Sequence, residues 1–372
     1  MTYPENEPMR NVEEPASDTI TASDKKKKRH QRIWLLLLLI LLAVLAAAVI
    51  AWRTIPRTMI DANIQSASRF DESEVAVTPE LPPVHNVMNI ALFGIDQKKG
   101  SVGRSDAMLI LSIDKDHNKI KLTSIARDSL VPIDGHGEEK LTHAWAYGHA
   151  KLALKTINQN YGMNITDYAY VNFNEFIDAV DDLGGVYIDL TAAEQAHLNQ
   201  TIMRRECENH YEYEPPLIPG DGRQLLNGVQ ALQFARNRTD GDGNRTTRHQ
   251  EVLMAVYERV KSQPLTKLAS TVSRMLRLCH TSLSSDELTD LATWALTASP
   301  SVETFSLPNA QIPTQNGIID KKRGWVRVYD LDLATLLLHR FIYETDLPVT
   351  DATGTISTTA ADRADTTIKT QQ

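Results

Sequence analysis

The stretch Ile33–Trp52, IWLLLLLILLAVLAAAVIAW, runs twenty residues without a charge. A helix rises 1.5 Å per residue, so this run spans about 30 Å, the thickness of a bilayer's hydrocarbon core. Trp34 and Trp52 sit at its ends, where amphipathic rings favour the membrane interface. The basic run KKKKRHQR (25–32) precedes it, and only Arg53 and Arg57 follow closely. That asymmetry predicts a cytoplasmic N-terminus and a chain that continues outside the cell. A cleaved signal peptide has a shorter apolar core, about 7–15 residues, so a retained single-pass anchor is expected. The basic run is explained by topology and anionic lipid rather than by nucleic acid.

The rest of the chain divides around this helix. Residues 1–32 are polar and are expected to form a disordered cytoplasmic tail, and 347–372 a disordered Thr/Ala/Asp tail. Residues 53–86 read as a stalk, with a short helix over 55–68 and a Pro-rich lead-in, VTPELPPVHN, at 77–86. Residues 87–346 read as one extracytoplasmic domain. With 42% apolar residues overall, it has enough to build a core. Cys207 and Cys279 are too few for a disulfide framework and carry no assigned chemistry.

Within the domain, VMNIALFGID (87–96), AMLILSID (107–114) and KIKLTSIARD (119–128) read as strands, the first two buried on both faces. A helix is predicted from Thr142 to Tyr161, stopped by Gly162. Then come a strand at 168–173, a helix at 174–183 and a strand at 186–190, followed by a polar insertion at 191–223 read as loop. Helices are expected at 225–235, 245–262, 264–280, 285–297 and 330–345, with a strand at 302–308. Alternating strands and helices predict an α/β domain, layered α/β/α, with a mixed central sheet and helices on both faces.

Chemistry is concentrated in FARNRTDGDGNRTTRHQ (234–250), where Arg236, Arg238, Arg245 and Arg248 crowd into a chain of net charge −8. Arginine forks bind carboxylates or phosphates through paired hydrogen bonds. They outnumber the neighbouring Asp240 and Asp242, so an external anion is the expected partner. Asp96, Arg104, Asp106, Arg127 and Asp128 fall at strand ends and connections, where open α/β sheets bind ligands.

These segments together resemble the LytR–CpsA–Psr family of cell-wall enzymes. The resemblance rests on NIALFGID, GRSDAMLILSI, LTSIARDSLV, KLTHAWAYG, YAYVNFNEFIDAVDDLGGVYIDL, LNGVQALQFARNR and DGNRTTR. It covers about residues 87 to 262 and more weakly reaches about 345. It implies an anchored extracytoplasmic phosphotransferase of a Gram-positive-type envelope. Such an enzyme moves a teichoic acid or capsular polysaccharide from undecaprenyl pyrophosphate to N-acetylmuramic acid of peptidoglycan. Asp96 and Asp106 would hold Mg²⁺ (or another divalent cation such as Mn²⁺), and Arg104, Arg127, Arg236, Arg238, Arg245 and Arg248 would grip the pyrophosphate. Asp128 and Asp242 are the candidate general bases beside Arg127, and an apolar groove between sheet and helices would take the prenyl tail. Two departures stand out: His249 where the family has Gln, and Thr142 where it has Asn.

Plainer readings accompany each of these. Asp96 and Asp106 could cap turns, Arg127 and Asp128 could form an internal ion pair, and Arg236 and Arg238 could simply complement a helix end. Arg248 could do no more than solvate a helix. The spacing of Asp240, Asp242, Asn244 and Glu251 suggests a calcium loop, but Arg245 stands where such a loop needs glycine. No His or Cys spacing supports zinc. A pyrophosphate hydrolase and a non-catalytic envelope regulator or scaffold are the alternative functions.

Overall fold

The computed structural model describes residues 65–77, 87–97, 102–204, 215–237, 243–264, 267, 270, 274–320 and 323–344. The expected membrane helix, both tails, most of the stalk, Cys207, Arg238 and Asp242 lie outside the described residues. Among the described residues, no helix is long and apolar enough to cross a membrane.

A seven-stranded mixed sheet organises the domain. From edge to edge its strands are Gln65–Ser66 (β1), His280–Thr281 (β10), Asp167–Asn172 (β7), Val87–Asp96 (β2), Arg104–Asp114 (β3), Lys119–Ile125 (β4) and Ser301–Leu307 (β11). β3 runs antiparallel to both β2 and β4, whereas β7 is parallel to β2 and β11 to β4. The near-continuous apolar runs of β2 and β3 are buried on both faces, as doubly covered strands must be.

Each face has its own cover. On one side, Phe93, Ile95, Met108 and Ile110 meet Trp145 and Leu154 of Leu141–Tyr161 (α1) and Leu338 of Leu331–Tyr343 (α7). Each such buried side chain contributes about 1.5–3 kcal/mol relative to exposure. The other side carries Phe173–Asp182 (α2), Ala192–Met203 (α3), Gly228–Arg236 (α4) and Gly243–Lys261 (α5), with Val180, Leu198, Phe234 and Val252 in a second core. Ser285–Ala298 (α6) begins at a Ser284–Glu287 capping box. The helix α1 stops as expected, with Gly162 in the left-handed region at φ 57°.

Several expectations need correction. The segment 225–235 is not all helix: Gly222–Leu226 is a strand (β9), and α4 starts only after Asn227. Asn227 accepts from the Gln230 amide, and Gln230 reciprocates on the Asn227 N–H, so the capping box overrides the leucine-rich pattern. The predicted strand at 186–190 exists (Val186–Leu190, β8), but it pairs with β9 in a separate two-stranded sheet. The polar insertion contains α3, started by a Thr191–Glu194 capping box. Residues 65–66 of the expected stalk helix form β1, and His280–Thr281 is strand rather than helix end. Two antiparallel pairs went unread: Leu130–Ile133 (β5) with Gly137–Lys140 (β6), and Thr314–Asp320 (β12) with Gly324–Tyr329 (β13).

Candidate functional site

The carboxyl end of β2 and the opening of β3 build the site. Leu92, Gly94 and Asp96 share one face of β2 by the two-residue period, and Leu92 and Gly94 line a cavity of ≈ 230 Å³ on that face. In β3 the register shifts: Gly94 pairs with Ala107 and Ile95 with Ser105, so Asp106 is the extra residue of a bulge. A bulge re-aims its side chain, and Asp106 lines the same cavity as Ala107 instead of facing the α1 layer with Met108.

The cavity itself is apolar. Its floor is sheet, including Ala107, Leu109, Ala169 and Val171, and its roof is helix, including Phe176, Leu232 and Val252. Small side chains on the floor leave the depth. Cys279 also lines it, and burial, with Glu175 adding, pushes that thiol up to about 12, so it serves as a small neutral surface.

Charge gathers at the polar end. Arg236, the last residue of α4, lines the cavity and lies over the Phe173 ring at 4.9 Å. Its Nη2 is 3.9 Å from Asp96 Oδ2. Gly228 at the other end of α4 lets the helix seat this closely on α2: an added Cβ would stand 2.3 Å from the Ile177 carbonyl oxygen. Arg127, just past β4, pairs its Nη1 with Asp106 Oδ1, and its Nε with Asp128 Oδ2 at 3.2 Å. Burial works against that guanidinium's charge, but Asp106 and Asp128 outweigh it and raise its pKa. Lys140 Nζ reaches Asp128 Oδ1 at 3.0 Å.

Asp96, Asp106, Arg127, Asp128 and Arg236 therefore converge, and Arg104 lies exposed at the start of β3, paired in register with Asp96 of β2. Arg245 falls in the first turn of α5. The Arg248 expectation is corrected. Its side chain is 2% exposed, donates to Glu194 Oε1 at 3.0 and 3.1 Å and to the Asn237 carbonyl at 3.0 Å, and faces the Phe234 ring. It ties α5 to α3 instead of facing the cavity. Sequence reasoning missed Phe173, Lys140 and Cys279. Only Phe173 had a local signal, since it follows Asn172, whose capping box with Glu175 starts α2.

Metal fit is testable on the donors present. Asp96 Oδ1 is buried without a hydrogen-bond partner among the described residues. Mg²⁺ takes one or two carboxylates and fills its remaining positions with water and phosphate oxygens, so Asp96 with Asp106 is a fitting set. No cluster of three His, Cys, Asp or Glu suited to a protein-only metal cage occurs among the described residues.

Comparison with known proteins places this geometry. The LytR_cpsA_psr family model matches residues 58–325. A polyisoprenyl-teichoic acid–peptidoglycan teichoic acid transferase, TagU of Oceanobacillus iheyensis, is 29% identical over 218 residues, 56% of this chain and 62% of the relative. TagT of Bacillus subtilis, of the same description, is 30% identical over 197 residues, 51% of this chain and 58% of that protein. The chain thus spans about three fifths of the length of these curated relatives. A structure of TagT bound to LI-WTA superposes with a TM-score of 0.55 at 25% identity, covering 71% of this chain and 93% of that one.

Proposed function

Since the chain belongs to the LytR_cpsA_psr family, we propose that it is a membrane-anchored phosphotransferase. It takes an anionic glycopolymer from a polyprenyl-pyrophosphate carrier and joins it to peptidoglycan outside the cell. One observation carries this reading: an apolar cavity ends at a cluster of two guanidiniums and two carboxylates, Arg127, Arg236, Asp96 and Asp106. A greasy slot with an anion-gripping mouth suits a prenyl pyrophosphate. The relatives' description as polyisoprenyl-teichoic acid–peptidoglycan transferases supports the same donor and acceptor.

The tail lies among Ala107, Ala169, Phe176 and Leu232, and the pyrophosphate sits at the mouth. Arg236 is pre-oriented by the Phe173 ring, and Arg127 by Asp106 and Asp128. Both can spread developing negative charge, which is most of what phosphoryl transfer demands of a protein. The acceptor hydroxyl oxygen forms a bond to the phosphorus bearing the polymer. The bridging P–O bond breaks, and prenyl phosphate leaves with that electron pair. The hydroxyl proton passes to a carboxylate, for which Asp128 and Asp242 are the candidates. Mg²⁺ held by Asp96 and Asp106 would neutralise charge on the phosphate oxygens.

The test is transfer of labelled lipid-linked polymer in the presence and absence of peptidoglycan. Label appearing in the wall only when both substrates and the chain are present supports the proposal. Loss of donor with no labelled wall would replace it with hydrolysis, and a donor that binds but never turns over would leave a scaffold.

A further inference from the structure

An exposed aromatic stack lies on the first segment of α1, five residues beyond Thr142, whose N–H and hydroxyl bond the backbone of Arg127 and Ser105. Tyr147 is 45% exposed, and its ring stacks on His136 with centroids 4.0 Å apart and planes 9° from parallel. His143, one helical turn before Tyr147, meets the same ring edge-on at 5.8 Å. Tyr147 ends the first segment of α1, because Gly148 and His149 leave helical geometry, His149 at φ 51°. His136 sits in the turn of the β5–β6 hairpin and donates its N–H to the Ile133 carbonyl at 2.9 Å. The hairpin is fastened along α1 by the Lys155–Asp134 ion pair and by Asn160 Nδ2 donating to the Pro132 carbonyl at 2.9 Å. Two rings on different elements are therefore stacked in a position where solvent reaches them.

Polar groups flank the stack. The buried Glu139 carboxylate is 2.9 Å from His143 Nδ1 and 3.6 Å from Arg323 Nε. The same segment joins the stack to the mouth. Lys140 holds Asp128, the Thr142 N–H donates to the Arg127 carbonyl at 3.0 Å, and Thr142 Oγ1 donates to the Ser105 carbonyl at 2.8 Å. From Thr142 to Tyr147 along α1 is about 7.5 Å, on the order of one to two sugar rings.

We propose that Tyr147 and His136, with His143 and Arg323 held in place by the buried Glu139, form a subsite for the glycan strand of the acceptor. This rests on the transfer reading for what happens at the mouth, but makes its own claim about binding. The C–H faces of a pyranose carry slight positive charge and pack against the electron-rich face of an aromatic ring. The flanking groups supply donors and acceptors for hydroxyl and N-acetyl groups. The patch is two rings wide with a polar border, too small and too polar to enter a bilayer.

The experiment uses the full chain in detergent and two probes: peptide-free oligosaccharides of alternating N-acetylglucosamine and N-acetylmuramic acid, and a prenyl pyrophosphate. Tyr147→Ala should weaken oligosaccharide binding about tenfold. Tyr147→Phe should retain it, and neither should alter prenyl pyrophosphate binding or the melting temperature. In transfer assays Tyr147→Ala should raise KM for the wall acceptor and leave KM for the donor unmoved. A parent chain that ignores the oligosaccharides, or a Tyr147→Ala chain that binds them as well as the parent, overturns the subsite. Failure to bind prenyl pyrophosphate, with Tyr147-dependent glycan binding intact, would instead sink the transfer reading and leave the subsite standing.

Discussion

A buried carboxylate oxygen with no partner is costly, and Asp96 carries one that has none among the described residues. Replacing the charge with an amide should therefore not harm the fold. Asp96→Asn is expected to melt at the same temperature or higher while transfer falls about 10²–10³-fold, the scale for losing one preorganised charge-stabilising group. A melting temperature that drops along with activity would make Asp96 a structural residue. Arg236 tests geometry instead of charge. Lysine keeps the positive charge but not the planar fork lying on Phe173, so Arg236→Lys should lower kcat/KM by roughly 10-fold or more. Wild-type kinetics from that variant would mean that a point charge suffices.

At the scale of elements, packing of helices on the sheet makes the cavity, and small residues on its floor give it depth. Ala169→Leu puts three more carbons into that space. Prenyl pyrophosphate binding should fall at least tenfold, whereas overpacking costs at most about 1–3 kcal/mol because the space is already empty. Undiminished lipid binding would remove the cavity from the donor site. The Glu194–Arg248 pair joins α3 to α5. Burial pushes the Glu194 pKa up, but the Thr191 and Arg248 hydrogen bonds dominate and leave it below 4.5. A depressed folded pKa means the stabilisation is present above the unfolded value and is lost as pH falls through the folded one. Glu194→Gln should thus cost about 1–3 kcal/mol at pH 7 and flatten the acid side of the stability curve. Equal acid sensitivity in mutant and parent, followed by thermal melts from pH 7 to pH 3, would assign that loss elsewhere.

For the whole molecule, the decisive question is placement. A donor with a membrane-embedded tail must be met at the bilayer surface, and the run Ile33–Trp52 is long enough to hold the domain there. A phosphatase reporter fused after Tyr343 should be active and a cytoplasm-dependent fluorescent reporter dark. The opposite pattern would place the domain inside the cell, away from any wall acceptor. Deleting residues 1–52 should leave the domain folded, because the described core lies within Ile55–Gln372, but slow transfer from donor in vesicles. Transfer unchanged by that deletion would show that the anchor does not localise the reaction.

The sequence by itself determined what depends on neighbours along the chain. Apolar runs marked β2 and β3, Gly162 marked the end of α1, and charged residues at strand ends together with Arg236 named side chains that the fold brings to one end of the cavity. Capping boxes at Thr191 and Asn227 were also written locally, as pairs of side chains three apart; the polarity of 191–223 hid the first and the leucines at 225–226 hid the second. What only the tertiary structure decided were relations between distant segments. The register shift that turns Asp106 into the cavity, the inward commitment of Arg248 to Glu194 and the stacking of His136 on Tyr147 each join residues far apart in sequence or in different elements. A side chain's charge is a property of its residue, but whether it meets solvent, a substrate or a buried partner is settled by which elements pack against it, and no local pattern encodes that.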